Sequence, residues 1–290
     1  MNVGIVGLGL IGGSLAKSTK TRTAHTVWGI DLSQESMMLA RMCGAIDATL
    51  TEENLPQCDL ILIAIRPQAA INWVRDHADL ISPSAIVVDM CGVKRIVVEA
   101  IAPIAKEHGF AYIGGHPMAG KERGGYGNAS ADLFDGASMV FTPYPFTPPE
   151  AVERLKTIFS KIGFARFALA GPARHDEMIA YTSQLAHVVS SAYVQDPLSR
   201  EHLGFSAGSY QDMTRVATVD PGMWTDLFLS NAPSLDAALG RLIGRLQKYR
   251  DAIGSGDASS LRQYLEEGRI AKEAEKFGII CNRKEGKGNA

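Results

Sequence analysis

The sequence predicts an α/β protein: a doubly wound parallel sheet in the first part of the chain and an all-helical second part. Three observations predict it. Short apolar runs alternate with helical stretches up to about residue 170. Several of those runs are apolar at nearly every position, as strands buried on both faces of a parallel sheet must be. After Gly171-Pro172 helical periodicity takes over, and no further strand pattern follows.

Taken in order, residues 3–6 and 26–30 are short β-rich runs, and 60–65 and 85–88 are near-continuously apolar. Between them, 34–42 and 96–108 carry a helical pattern. Three more strands are expected at 111–114, 138–142 and 165–169. The segment 148–162 reads as a helix with proline near its start, where a missing N–H costs nothing. Strand–helix–strand alternation of this kind builds a doubly wound sheet. Beyond the boundary, 177–194, 233–253 and 259–277 are helical. The expected domains are therefore 1–170 and 171–290. The later helices carry apolar residues on more than one side, which predicts burial against a second subunit. The tail from about 282 is polar and Gly/Lys-rich and is expected to be disordered.

With 290 residues, 46% of them apolar and 21% charged, the chain can bury a sizeable core without staples. A formal charge of −2 provides no basic field for nucleic acid or an anionic membrane. Cys43, Cys58, Cys91 and Cys281 form no C-x-x-C pair and no zinc spacing, so reduced thiols and no metal are expected. Neither a signal peptide nor a bilayer-length apolar run is evident, which makes the cytoplasm the expected location.

The motif Gly7-Leu8-Gly9-Leu10-Ile11-Gly12 fits G-x-G-x-x-G between a strand and a helix. Gly7 permits the tight turn, Gly9 admits a pyrophosphate against the backbone, and Gly12 lets helix and strand pack closely. The helix that Leu10 and Ile11 open offers unpaired N–H groups to phosphate. Asp31 ends the next strand, nineteen residues after Gly12. A carboxylate there accepts from ribose hydroxyls and repels a 2′-phosphate, so a Rossmann-type NAD site is expected. Alternatively, Asp31 merely caps the following helix.

A second motif is Gly114-Gly115-His116-Pro117-Met118-Ala119-Gly120. His116 falls at the carboxyl end of an expected parallel strand, where such sheets bind ligands. Pro117 restricts it to an extended backbone. The competing reading is a structural histidine at a strand–loop junction.

This run, with Lys121-Glu122 after it, resembles the prephenate/arogenate (cyclohexadienyl) dehydrogenase family. So do V-G-I-V-G-L-G-L-I-G-G-S-L at residues 3–15 and Asp89-Met90-Cys91-Gly92-Val93-Lys94. His175-Asp176, followed by Ser183-Gln184-Leu185-Ala186-His187, is similar to the family's interdomain helix. Asp212-Met213-Thr214-Arg215, Asp220-Pro221 and Trp224 resemble its substrate-binding segment. Together these motifs span roughly residues 1–230 in the family's order.

The resemblance implies oxidative decarboxylation of prephenate with NAD, giving the precursor of tyrosine, with arogenate as the alternative substrate. It implies that His116 is the general base at the ring hydroxyl and that His187 assists in the catalytic site. Arg215 is implied to grip a substrate carboxylate, beside Trp224 and Ser183. Gly7, Gly9, Leu10, Ile11, Gly12, Asp31 and Gly92 are implied to contact the cofactor. A homodimer through the C-terminal helices is also implied. For each there is a plainer reading: Arg215 pairs with Asp212, His187 packs between helices, Trp224 is core, and Glu122 is a solvated loop charge instead of a polar gate.

The chain departs from the pattern at three places. Many members have Gly-Ser where Cys91-Gly92 stands, and that serine hydrogen-bonds the catalytic histidine. Gln184 replaces a histidine, and Gln211 an arginine. Two rivals stay open. A 3-hydroxyacid or imine reductase usually carries a catalytic lysine or acid on the interdomain helix, and 177–194 contains no lysine. An NAD(H)-binding sensor without catalysis is supported only by the missing serine.

Overall fold

The computed structural model describes residues 1–121 and 123–276. Glu122, Cys281 and the polar tail from about 282 lie outside the described residues. In chain order, β1 (Asn2–Val6) leads to α1 (Leu10–Arg22), β2 (Thr26–Ile30) to α2 (Gln34–Met42), and the two-residue β3 (Ala48–Thr49) follows. Next come β4 (Leu60–Ile63), α3 (Pro67–His77), β5 (Ile86–Asp89), α4 (Arg95–His108) and β6 (Ala111–Pro117). β7 (Ser138–Pro143), α5 (Pro149–Lys161) and β8 (Arg166–Leu169) complete one sheet in the order β3-β2-β1-β4-β5-β6-β7-β8.

Strand order reverses at β1, which pairs in parallel with β2 on one side and β4 on the other. Such a switch point opens a crevice beyond the carboxyl ends of the strands. The sheet departs from an all-parallel layout at one pairing, β6 with β7, which is antiparallel. Between these strands the chain forms a short 3₁₀ turn, Tyr126–Asn128, and among the described residues no α-helix. With no crossover helix to carry it to the far edge, the chain re-enters antiparallel. Through α5, β8 is again parallel to β7.

Every residue of β4 and β5 is buried. Alternate side chains go to opposite faces. Leu60, Leu62, Ile86 and Val88 join a core with Val3, Ile5 and Leu15, while Ile61, Ile63 and Val87 join another with Val97 and Ile101. Helix ends follow local chemistry. Ser33 caps α2 by accepting from the Ser36 N–H, and α4 stops at Gly109 in the left-handed region, φ 80°.

The later part contains α6 (Pro172–Ile179), a π-helical turn (Ala180–Gln184) and α7 (Leu185–Val194), which run on without a break. After them come α8 (Gly208–Thr214), α9 (Pro221–Ser230), α10 (Ala232–Ser255) and α11 (Ala258–Lys276). Among the described residues no strand follows β8. The chain forms two compact units, Met1–Leu235 and Asp236–Ala290. Within the second, Tyr249 meets Tyr264 edge-on at 5.6 Å, and Ile243, Leu246, Ile253, Leu265 and Ile270 are exposed. No helix among the described residues is long and apolar enough to cross a membrane.

Candidate active site

The glycine loop closes where β1 meets α1. Gly7 has φ 88°, and a Cβ there would lie 2.6 Å from the Ala64 carbonyl oxygen. A Cβ on Gly12 would lie 1.8 Å from the Gly7 oxygen, so neither position accepts a side chain. Above Gly9 there is open space. No side chain caps α1, so its first N–H groups, at Leu10, Ile11 and Gly12, have no intrahelical partner. Asp31 Oδ2 accepts from the Leu8 N–H at 2.6 Å and Oδ1 from the Ser33 N–H at 2.7 Å. The carboxylate is thereby tied both to the loop and to the start of α2. Beside it lies a cavity of about 540 Å³ bounded by Asp31, Gln34, Met38, Arg41 and Thr49. Open backbone at a helix start, a fixed carboxylate and an adjoining cavity fit a dinucleotide.

β6 runs past the end of β5, since Gly114 already pairs with the last β5 residue, Asp89. His116 therefore stands beyond the carboxyl end of β5, paired with Val140 of β7 and half-buried. Its Nδ1 lies 2.9 Å from Nε2 of His175 on α6. His175 Nδ1 lies 2.7 Å from Asp176 Oδ1. Asp176 in turn accepts from the N–H groups of Lys94 and Arg95, at 2.7 and 2.9 Å, where α4 begins. Burial, followed by the charges of His175 and Lys94, pushes His116 well below the usual histidine range.

Under this site is an ionic cluster whose members are fully enclosed. Lys94 Nζ donates to Asp89 Oδ1, and the Tyr112 hydroxyl donates to Asp89 Oδ2 at 2.7 Å. Cys91 donates its N–H to Asp89 Oδ1 at 3.0 Å. Burial pushes the Cys91 thiol well above its usual range, which makes it an inert thiol.

The helical side is linked to His116 contact by contact. A Cβ on Gly92 would lie 3.9 Å from His116 Nε2 and 3.4 Å from Leu227 of α9. One turn before Leu227, the Trp224 ring lies 3.8 Å from the His187 ring, centroid to centroid. His187 Nδ1 donates to the Val216 carbonyl at 2.8 Å. Arg215, next to Val216, is exposed, and its guanidinium makes no hydrogen bond or ion pair among the described residues, so the expected alternative pair with Asp212 is not formed. Ser183 is half-buried in the π-helical turn. Gln184 is buried, donating to the Leu227 carbonyl at 3.2 Å and accepting from Asn231 at 2.8 Å. It braces α7 against α9. Sequence reasoning assigned no role to His175, Asn231, Lys94 or Tyr112. The His-Asp dipeptide at 175–176 was the available signal.

The family description "Prephenate dehydrogenase, nucleotide-binding domain" matches residues 15–168, and "Prephenate dehydrogenase, dimerization domain" matches 171–267. The chain is 31% identical to the cyclohexadienyl dehydrogenase of Zymomonas mobilis, over 94% of this chain and 95% of that one. It is 29% identical to the prephenate dehydrogenase of Bacillus subtilis, over 90% of this chain and 72% of the relative. The crystal structure of A. aeolicus prephenate dehydrogenase with hydroxyphenyl propionate and NAD+ superposes with a TM-score of 0.84 at 26% identity, covering 94% of this chain and 97% of that one. Synechocystis arogenate dehydrogenase gives 0.80 at 27% identity, covering 95% and 100%. With both halves matched in order and the histidine motif at the sheet's carboxyl edge, the chain belongs to the prephenate dehydrogenase family.

Proposed function

We propose that the protein is an NAD-dependent prephenate dehydrogenase, which oxidises prephenate to 4-hydroxyphenylpyruvate and carbon dioxide. The observation that carries this reading is His116, whose Nδ1 is engaged by His175 and whose Nε2 adjoins Gly92 at the sheet's carboxyl edge. Nε2 accepts the proton of the ring hydroxyl as that carbon is oxidised. NAD, when bound at the glycine loop and Asp31, supplies the hydride acceptor. Cleavage of the bond to the ring carboxylate returns an electron pair to the ring, which becomes a phenol, and His116 can give its proton back to the same oxygen. The burial that lowers the pKa of His116 keeps it unprotonated, ready to accept.

Arg215 has a guanidinium without a protein partner among the described residues, suited to a substrate carboxylate. Trp224 walls the pocket against His187, whose Nε2 is its remaining ring nitrogen, and Ser183 lines the same helix. Gly7, Gly9, Leu10, Ile11, Gly12, Asp31 and Gly92 hold the cofactor. The boundary near 170 divides nucleotide binding from substrate binding, in accord with family matches that end at 168 and resume at 171.

The reading extends to a cytoplasmic homodimer. Its support is the family description of residues 171–267 as a dimerization domain and the exposure of Leu198, Leu203, Phe205 and Leu229. The described cysteines, Cys43, Cys58 and Cys91, are unpaired thiols, as expected in a reducing compartment.

The test is NADH formation by purified protein given NAD with prephenate and arogenate in parallel. Reduction with prephenate and release of 4-hydroxyphenylpyruvate supports the reading. Reduction only with arogenate changes the substrate and keeps the chemistry. Silence with both, in protein that binds NAD, overturns it in favour of the reductase or the sensor.

A further inference from the structure

The structure assigns His175 and Asp176 as positioning residues behind His116: together they select the tautomer in which Nε2 of His116 is the proton acceptor, and they share the charge when it accepts. The inference rests on the reading of His116 as general base and adds to it the device that makes it one.

A carboxylate only accepts, so His175 Nδ1, 2.7 Å from Asp176 Oδ1, carries the hydrogen. A neutral His175 then has its lone pair on Nε2. That lone pair lies 2.9 Å from His116 Nδ1, which must donate to it. The lone pair of His116 is left on Nε2, beside Gly92. The carboxylate of Asp176 thus fixes the tautomers of both rings.

Asp176 is held so that it cannot turn away. Its two oxygens take the Lys94 and Arg95 N–H groups at the positive end of α4, and its carbonyl takes the Asn231 amide at 2.8 Å. His175 and Asp176 are 2% and 1% exposed, so water does not compete for these bonds.

Protonation is a property of the pair. If one proton is added, it rests either on His116, as an imidazolium donating to His175, or on His175, with His116 in the opposite tautomer. In both states His116 Nε2 carries a hydrogen and can no longer accept one. The added proton is therefore shared across the His116 Nδ1–His175 Nε2 hydrogen bond. The charged and titratable groups around them are Asp176 on α6, Asp89 at the end of β5, Cys91 in the turn after it, Lys94 and Arg95 at the start of α4 and Tyr112 on β6. Asp176 alone of these is hydrogen-bonded to the pair, and its negative charge favours the protonated state. The opposing influences on His116 are burial, then the charges of His175 and Lys94.

Two measurements test this on the full chain. Long-range ¹H–¹⁵N correlation spectra of histidine-labelled protein at mildly alkaline pH report the tautomer of each ring directly, without substrate. The expected result is Nδ1–H with an unprotonated Nε2 for both His116 and His175. A His116 ring found as the Nε2–H tautomer overturns the proposal. Since this readout needs no turnover, it separates failure of the relay from failure of the proposed activity. The second measurement is the pH profile of His175→Gln, whose side-chain oxygen still accepts from His116 but cannot share a proton. Expected are a fall in kcat of about tenfold or more, a part of the 10² to 10⁴ that general-base assistance provides in full, little change in KM, and a displaced acid limb of kcat/KM. An unchanged kcat, or a loss of rate with the limb unmoved, marks His175 as a packing residue and overturns the proposal.

Discussion

A Cβ placed on Gly92 lies 3.9 Å from Nε2 of His116 and 3.4 Å from Leu227. Position 92 therefore borders the ring on its accepting side, while His175 holds the opposite nitrogen. The serine that many family members carry here would address Nε2, whereas in this chain orientation comes through Nδ1. Gly92→Ser should accordingly change kcat/KM by no more than about fivefold, the worth of one hydrogen bond of ~1 kcal/mol. Gly92→Ile should lower turnover strongly, since a branched side chain has no room between Leu227 and the imidazole. Steady-state kinetics decide; a hundredfold gain in the serine variant would mean that His175 does not do the orienting.

His116→Asn should lower kcat by about 10² to 10⁴ with NAD affinity nearly intact, because no cofactor-loop contact involves this side chain. The wild-type pH profile carries its own signature. A base works unprotonated, and burial holds His116 below the ordinary value of ~6.5. As pH falls the group stays unprotonated for longer, so the acid limb of kcat/KM should lie below ~6.5. A limb at or above that value would contradict the burial of the ring.

Arg215→Ala should raise the substrate KM by about 10- to 100-fold, equivalent to the ~1.5–3 kcal/mol of a charged hydrogen bond. Because Arg215 is exposed and pairs with nothing among the described residues, its thermal midpoint should not move. Arg215→Lys should recover only part of the loss, since an ammonium lacks the guanidinium fork. An unchanged KM in the alanine variant would remove Arg215 from the substrate site.

Asp31→Ser should weaken NAD more than the loss of a ribose contact alone accounts for. The carboxylate also binds the Leu8 and Ser33 N–H groups, which hold the glycine loop to the start of α2. Relief of charge repulsion should at the same time narrow the preference over NADP. Kd values for both cofactors, by fluorescence titration, test this; a variant that keeps wild-type NAD affinity would show that the loop holds without Asp31.

How far such features can be read from sequence depends on their range. β2 and α2 have the bounds that the local pattern predicts. The glycine loop falls between β1 and α1 as its contiguous motif predicts, whereas β6 continues to Pro117, past the expected end at 114, so that His116 lies within the strand. α3 escaped notice because it opens on Arg66-Pro67 directly after an apolar strand and buries only Ala70, Ile71 and Val74. The antiparallel direction of β7 is written in what the preceding link lacks, a crossover helix, and not in the strand itself. The relay from His116 to His175 joins residues 59 apart, and no local pattern announces it. Gln184 illustrates the same limit. From sequence it is a missing histidine, whereas in the fold it bridges the Leu227 carbonyl and Asn231.

The buried Asp89–Lys94 pair beneath the site supplies a test of stability apart from chemistry. Both side chains are fully enclosed, and Asp89 also receives the Tyr112 hydroxyl and the Cys91 N–H. Lys94→Met leaves that carboxylate buried without a countercharge, which should cost about 3–5 kcal/mol. Asp89→Asn combined with Lys94→Met removes both charges, while the amide oxygen can still accept from the Cys91 N–H and the amide NH2 can donate to the Tyr112 hydroxyl oxygen. The double variant should therefore be more stable than Lys94→Met alone, as measured by urea unfolding at constant pH. That order follows because an isolated buried charge costs more than a neutral pair of similar shape. If the double variant is instead the less stable of the two, the carboxylate is solvated in solution and the enclosure seen around Asp89 does not hold there.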